Sequence, residues 1–159
     1  MNQKHLALWL KVIIAGIACC GAILYLYIIP EFGRGIASHN PEYAFCYPYW
    51  LGVLWISAVP CYLVLYFGWQ IVNEIAKDRS FSMKNAAYLK YISLLAAGDS
   101  AYFFVANLVL LMLNMSHPGV FILAMFVIFA GVAVTVAAAA LSHLVQKAAA
   151  IEEENKLTI

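Results

Sequence analysis

The chain is predicted to be an all-α integral membrane protein. Its expected form is an antiparallel bundle of four transmembrane helices, with both termini in the cytoplasm and the fourth helix extended past the membrane. Three observations lead there. Of 159 residues, 65% are hydrophobic and only 11% charged, and the mean hydropathy is +0.87. A soluble domain is roughly half apolar and a quarter charged, so most of this chain must be solvated by lipid. Four stretches reach the ~20 mainly apolar residues that a helix needs to cross the hydrocarbon core. With those four laid out, eight of the nine basic residues fall on one side.

The first span is expected at residues 7–29. Lys11 stands near its start and can reach the headgroups by snorkelling. A basic start before an apolar run also fits a secretory signal, but this run is longer than a signal core. No A-x-A site follows it, and GIACC matches a lipoprotein cleavage box only weakly, so the stretch is read as a retained helix. An outer loop should occupy residues 30–49. It ends in the aromatic cluster Tyr43, Phe45, Tyr47, Tyr49 and Trp50, suited to a membrane–water interface.

The second span is expected at residues 50–72. Pro60 should kink it and free the carbonyl of Ile56. An inner loop at 73–90 follows. Ser80 or Ser82 can cap the third helix, and Asn85, three residues after Ser82, can reach back as in a weak capping box. The third span is expected at 91–113 and the fourth at 119–144. The turn between them, NMSHPG, is short enough to force an antiparallel pair.

From Val132 to Glu154 there is no Gly or Pro, and Ala, the best helix former, recurs at 137–140 and 148–150. The fourth helix should therefore project by about ten residues, or ~15 Å, into a cytoplasmic tail at 145–159. Leu141, Leu144, Val145, Ala148 and Ile151 share one face of that extension. Glu152, Glu153 and Glu154 oppose the helix dipole, so the tail is expected to fold back onto the cations Lys77, Arg79, Lys84 and Lys90, with Leu157 and Ile159 as apolar pegs.

Orientation follows from charge. Lys4 and Lys11 precede or open the first helix; Lys77, Arg79, Lys84 and Lys90 lie between helices two and three; Lys147 and Lys156 follow helix four. Only Arg34 lies in the outer loop, which puts both termini in the cytoplasm.

Composition also excludes several activities. A formal net charge of +1 argues against direct nucleic-acid binding. Cys19, Cys20, Cys46 and Cys61 have no CxxC spacing, and there is no phosphate loop, H-E-x-x-H or G-x-S-x-G motif. No cofactor and no metal are expected, although His39, Glu42 and His117 share the outer side. Cys46 is the one cysteine placed outside, where it would be open to an intermolecular disulfide. With no clustered nucleophile, base or metal set, the chain is not expected to be an enzyme.

Asp99 is the sharpest single feature. An ionised Asp near mid-membrane is costly, by at least ~2.5 kcal/mol on insertion scales. It should face the interior, be protonated or have a partner. Asn107 and Thr135 are grouped with it as an intramembrane polar or ligand-binding set, with Ser57, Tyr62, Cys19, Cys20 and Cys61 as neighbours by depth. The small faces Ser93, Ala97, Ala101 and Gly131, Thr135, Ala139 are expected to meet and set Asp99 beside helix four.

Two short cytoplasmic motifs carry a resemblance. FSxxN before helix three (Phe81, Ser82, Asn85, with Leu89 and Ile92 beyond) pairs with a terminal EExxLTI (Glu153, Glu154, Asn155, Leu157, Thr158, Ile159, with Leu141 before it). This pairing resembles the YoaS-like bacterial membrane family, a domain of unknown function with four transmembrane helices. Lys156 stands where the family usually has an acid, and Ala148–Ala150 where it often has a Gly. The resemblance implies a multi-pass protein of the bacterial cytoplasmic (inner) membrane. It also implies a neighbouring gene for a very small helix-turn-helix regulator.

Two functions follow as expectations. The first is a non-enzymatic regulatory protein that binds such a regulator through Phe81, Ser82, Asn85, Glu153, Glu154, Leu157, Thr158 and Ile159. The second is a small transporter, or a ligand- or ion-binding protein centred on Asp99. Membrane lipid is a partner in either case, and a homodimer is compatible with both.

Overall fold

The computed structural model describes residues 3–157, with side chains to residue 155. Nearly all of them are helical, in the order α1 (Gln3–Ile23), a π-helical turn (Leu24–Ile28), α2 (Ile29–His39), a 3-10 turn (Pro41–Cys46), α3 (Tyr47–Ala76), α4 (Met83–Met112) and α5 (Pro118–Leu157). Four continuous stretches are long and apolar enough to cross a membrane: Gln3–His39, Pro41–Ala76, Met83–Met112 and Pro118–Asn155.

The outer loop expected at 30–49 is mostly helix instead. Pro30 ends nothing, because the backbone has already changed register before it. Across the π turn the Ile29 N–H bonds the carbonyl of Leu24, and Pro30 has no N–H to offer. Both backbone donors that could serve Tyr25 are thereby removed, and the Trp55 indole takes their place, donating to the Tyr25 carbonyl at 3.1 Å. α2 then continues to His39, and α3 runs unbroken through Pro60.

Three seams join the long helices. Between α1–α2 and α3, Lys11 lies over the Trp69 ring at 5.3 Å, Tyr62 donates to Ala18 O at 2.9 Å, and Tyr47 donates to Pro30 O at 3.2 Å. Between α3 and α4, Tyr102 donates to Val53 O at 3.4 Å, Phe67 packs on Tyr91 at 5.3 Å, and Lys84 meets Glu74 at 3.2 Å. Between α4 and α5, Ser142 donates to Ala86 O at 2.7 Å, Ser93 donates to Thr135 O at 2.9 Å, and Phe104 stacks near Phe121 at 6.3 Å. In every seam, residue numbers fall on one helix as they rise on the other.

The α4–α5 seam is the most extensive. Among the described residues, α1 touches neither α4 nor α5, and α3 does not touch α5. Among the described residues each long helix therefore packs on its neighbour in sequence, as an open row. The physical reason is the solvent: lipid tails are as apolar as Leu, so closing the row gains no hydrophobic free energy. Association depends on close backbone approach and interhelical hydrogen bonds. Accordingly the buried set is largely small or polar, including Ala86, Ala124, Ala138, Ser57, Ser93, Ser100 and Asn107, while large apolar side chains such as Leu26, Phe126 and Phe129 face outward.

Two connections are tight for a common reason. α3 and α4 both end with a residue in the left-handed region, Asp78 (φ 62°) and Asn114 (φ 55°). Arg79 N bonds Glu74 O at 3.0 Å and Asp78 N bonds Ile75 O at 3.0 Å; Met115 N bonds Leu110 O at 2.8 Å and Asn114 N bonds Leu111 O at 3.1 Å. Both are Schellman closures, with Asp and Asn in the place usually taken by Gly. Trp50 then donates to Met115 O at 2.6 Å and ties the start of α3 to the α4–α5 turn.

The described part of the tail continues α5, and the proposed pegs fall beyond it: Leu157 has no described side chain and Ile159 lies outside the described residues. α5 runs as one helix through Leu157, and residues 151–155 are exposed. Two of the loop cations, Lys77 and Lys84, pair with Glu74 of α3.

Candidate functional site

Two polar constructions stand out against the apolar helices. The first lies at mid-length of α4, where Asp99 faces α3. Its Oδ2 accepts from Ser57 Oγ at 3.0 Å and lies 3.9 Å from Cys61 Sγ. Ser57 and Cys61 are four residues apart and so share one face of α3. Tyr25, in the π turn, lies on the other side of Cys61, near enough to interact with it electrostatically. Asp99 Oδ1 is buried and has no hydrogen-bond partner.

This arrangement differs from the expected one. Asp99 sits beside helix two of the four spans, not helix four. Ser93 and Ser100 take the α5-facing positions, and Ser100 packs so tightly on Gly131 that a Cβ there would collide with its hydroxyl. Asn107 and Thr135 do not join Asp99: Asn107 Nδ2 donates to Phe103 O at 2.8 Å, and Thr135 Oγ1 to Gly131 O at 2.9 Å, each within its own helix. Tyr62 is spent on Ala18. Tyr25 was missed, since nothing in its local pattern betrays a change of helical register.

The second construction is the corner between α3 and α4. Ser82 has extended backbone and its hydroxyl accepts from Asn85 N at 3.2 Å, so it caps α4 as expected. The Asn85 side chain does not complete a capping box. It is 1% exposed and donates back across the loop to Arg79 O at 3.2 Å and Ser80 O at 3.0 Å. Glu74, nearly buried, holds the other side of the corner through Lys77 at 3.6 Å and Lys84 at 3.2 Å. Nothing in the local sequence pattern singles Glu74 out. Raised on this frame, Phe81 and Met83 are exposed by 59% and 52%.

Glu153 and Glu154 lie on the exposed end of α5, in the tail. Leu157 falls in the helix without a described side chain, and Thr158 and Ile159 lie outside the described residues. Outside the membrane centre, the remaining candidates are dispersed. His39 Nδ1 lies 2.8 Å from Gly35 O, and His117 Nδ1 accepts from Gly119 N at 3.0 Å, capping α5. Among the described residues no three His, Cys, Asp or Glu gather as a metal site. Cys46 is 0% exposed, which removes it from intermolecular disulfide chemistry in the folded chain.

An all-helical chain with four helices long and apolar enough to cross a membrane, a half-buried acid midway along one of them and a stiff polar corner has the character of a membrane protein. The chain belongs to the family described as "Protein of unknown function (DUF2975)", whose model matches residues 31–159. That span includes both the corner and Asp99. It is also similar to the "Uncharacterized membrane protein YoaS" of Bacillus subtilis (strain 168), with 27% identity over 161 residues covering 100% of each chain. No solved structure matches it.

Proposed function

We propose that this is a non-enzymatic regulatory protein of the bacterial cytoplasmic membrane, antiparallel in its helices and with both termini cytoplasmic, whose α3–α4 corner receives a soluble protein partner. The observation that carries the reading is the corner itself. Asn85, Ser82 and Glu74 spend buried hydrogen bonds and ion pairs on holding a short loop in one shape. That shape presents two adjacent apolar side chains, Phe81 and Met83, on the side where the basic residues collect. Preorganised apolar anchors bind with less ordering cost than flexible ones. The α5 extension lies on the same side and exposes Leu144 and Ile151, so the two elements can form one surface. The family resemblance suggests a very small helix-turn-helix regulator as the occupant.

The test is co-purification of the full chain in mild detergent with the product of the neighbouring gene. Binding to the intact protein, lost on Phe81→Ala and weakened by truncation after Ile151, supports the reading. Undiminished binding by Phe81→Ala/Met83→Ala would remove the corner from it, and self-association without a second protein would point to a homodimer. The second reading, a small transporter or ligand-binding protein, draws on the unpartnered oxygen of Asp99. It requires proton- or cation-dependent uptake that Asp99→Asn abolishes.

A further inference from the structure

Residues 12–30, 47–73, 91–112 and 118–142 contain one Asp, Glu, Lys, Arg or His between them, Asp99. The groups that face it are few. Tyr25 approaches from α1's side, Ser57 and Cys61 from α3, and Tyr102 from α4 itself. The stretch of α5 packed against this part of α4 has no titratable residue between Pro118 and Ser142. The pairs of Glu31 with Arg34 and of Glu74 with Lys77 and Lys84 lie away from it. Asp99 therefore has no counter-charge at its own depth.

Its two oxygens are also unequal. Oδ2 takes both available donors, and Oδ1 is buried with none. An ionised carboxylate needs donors or cations at both oxygens when it leaves water. A neutral carboxylic acid does not: its carbonyl oxygen accepts, and its hydroxyl oxygen carries the proton. The observed asymmetry is the pattern of the neutral acid.

We propose that Asp99 is a proton-binding site within the membrane, with Oδ2 as the carbonyl held by Ser57 and Cys61 and Oδ1 as the oxygen that carries the proton. Asp99 is only half-buried and Cys61 is exposed; with the four apolar helices spanning a bilayer, that open side would meet lipid. Ionisation would draw water or a cation to Oδ1 and loosen the α3–α4 seam, where the corner begins. The site goes beyond partner docking and stands whether or not the corner binds anything.

The experiment is labelling of the full chain in phosphatidylcholine–phosphatidylglycerol vesicles with dicyclohexylcarbodiimide, followed by peptide mass mapping. The acid O–H adds across one C=N bond, and the O-acylisourea rearranges to a stable N-acylurea with no leaving group. The adduct should form on the Asp99 peptide near neutral pH, decline at alkaline pH and vanish in Asp99→Asn. A water-soluble carbodiimide should leave that peptide unmodified. The infrared carbonyl stretch of a protonated acid should be present in the wild type and missing in an Asp99→Asn protein of unchanged elution volume. Absence of both the adduct and the band in natively eluting protein overturns the proposal. So does equal labelling by the water-soluble reagent. Protection by sodium or potassium at constant pH would also overturn it, because the occupant would then be a metal cation.

Discussion

Asn85 shows how one side chain can be read correctly in place and wrongly in role. Its spacing from Ser82 was legible because helix capping is local and depends on residue type at fixed offsets. Its real partners, Arg79 O and Ser80 O, depend on the path of the loop, which no spacing reveals. The two roles make separate predictions. Ser82→Ala removes one capping bond and should destabilise by ~1 kcal/mol. Asn85→Ala strands two loop carbonyls around a fully buried position and should cost more, about 2–4 kcal/mol. Thermal unfolding of the two variants in one detergent checks the order; an equal or smaller loss for Asn85→Ala would show that the loop relaxes without it. Asp99 repeats the lesson at depth. Its position was legible from apolar context, but Ser57 and Cys61 were reached by depth together with Thr135, Tyr62, Cys19 and Cys20, and depth did not separate those that meet Asp99 from those that do not. Depth does not fix which face a residue occupies.

At the scale of elements, the long helices were legible because apolar length is a strong signal, while their junctions were not. Pro30 looked like a helix end, yet the π turn absorbs it, and Trp55 supplies the hydrogen bond that the register change removes. Trp55→Phe keeps the aromatic bulk and removes the donor. It should destabilise the seam between the π turn and α3 by about 0.5–1.5 kcal/mol, the net worth of one hydrogen bond. Unfolding by a denaturing detergent reads this directly, and an unchanged transition would mean that another donor serves Tyr25 O. The Schellman closures give the opposite kind of prediction. Asp78 and Asn114 both hold φ above +50°, where a β-branched residue is strained. Asn114→Gly should be neutral or stabilising, and Asn114→Val should cost ~1–2 kcal/mol. Neither residue is conspicuous in sequence, because the conformation arises only when the chain must turn within the five residues between α4 and α5.

Across the whole molecule, an open row of helices and an asymmetric charge distribution bear on each other. With α1 joined only through α3, little internal packing constrains which way the row is inserted, and the basic residues are left to decide it. Sequence could supply that count, but not the openness of the row, since lipid and Leu side chains compete on nearly equal terms for the same helix faces. The proposed orientation puts Arg34 outside and Lys84 inside, and the protein contains its own control. Cys46, near Arg34 in the chain, is 0% exposed and should stay silent toward a thiol reagent in the folded protein. Arg34 carries a side chain that is 66% exposed, in a surface pair with Glu31 at 3.5 Å, so Arg34→Cys changes little in the fold. In intact cells a membrane-impermeant maleimide should label Arg34→Cys at once and leave the parent protein unlabelled. A cysteine at Lys90, past the corner, should react only after the membrane is permeabilised. The reverse pattern would invert the topology and place Phe81 and Met83 on the outer face. The α3–α4 corner would then be out of reach of any cytoplasmic partner.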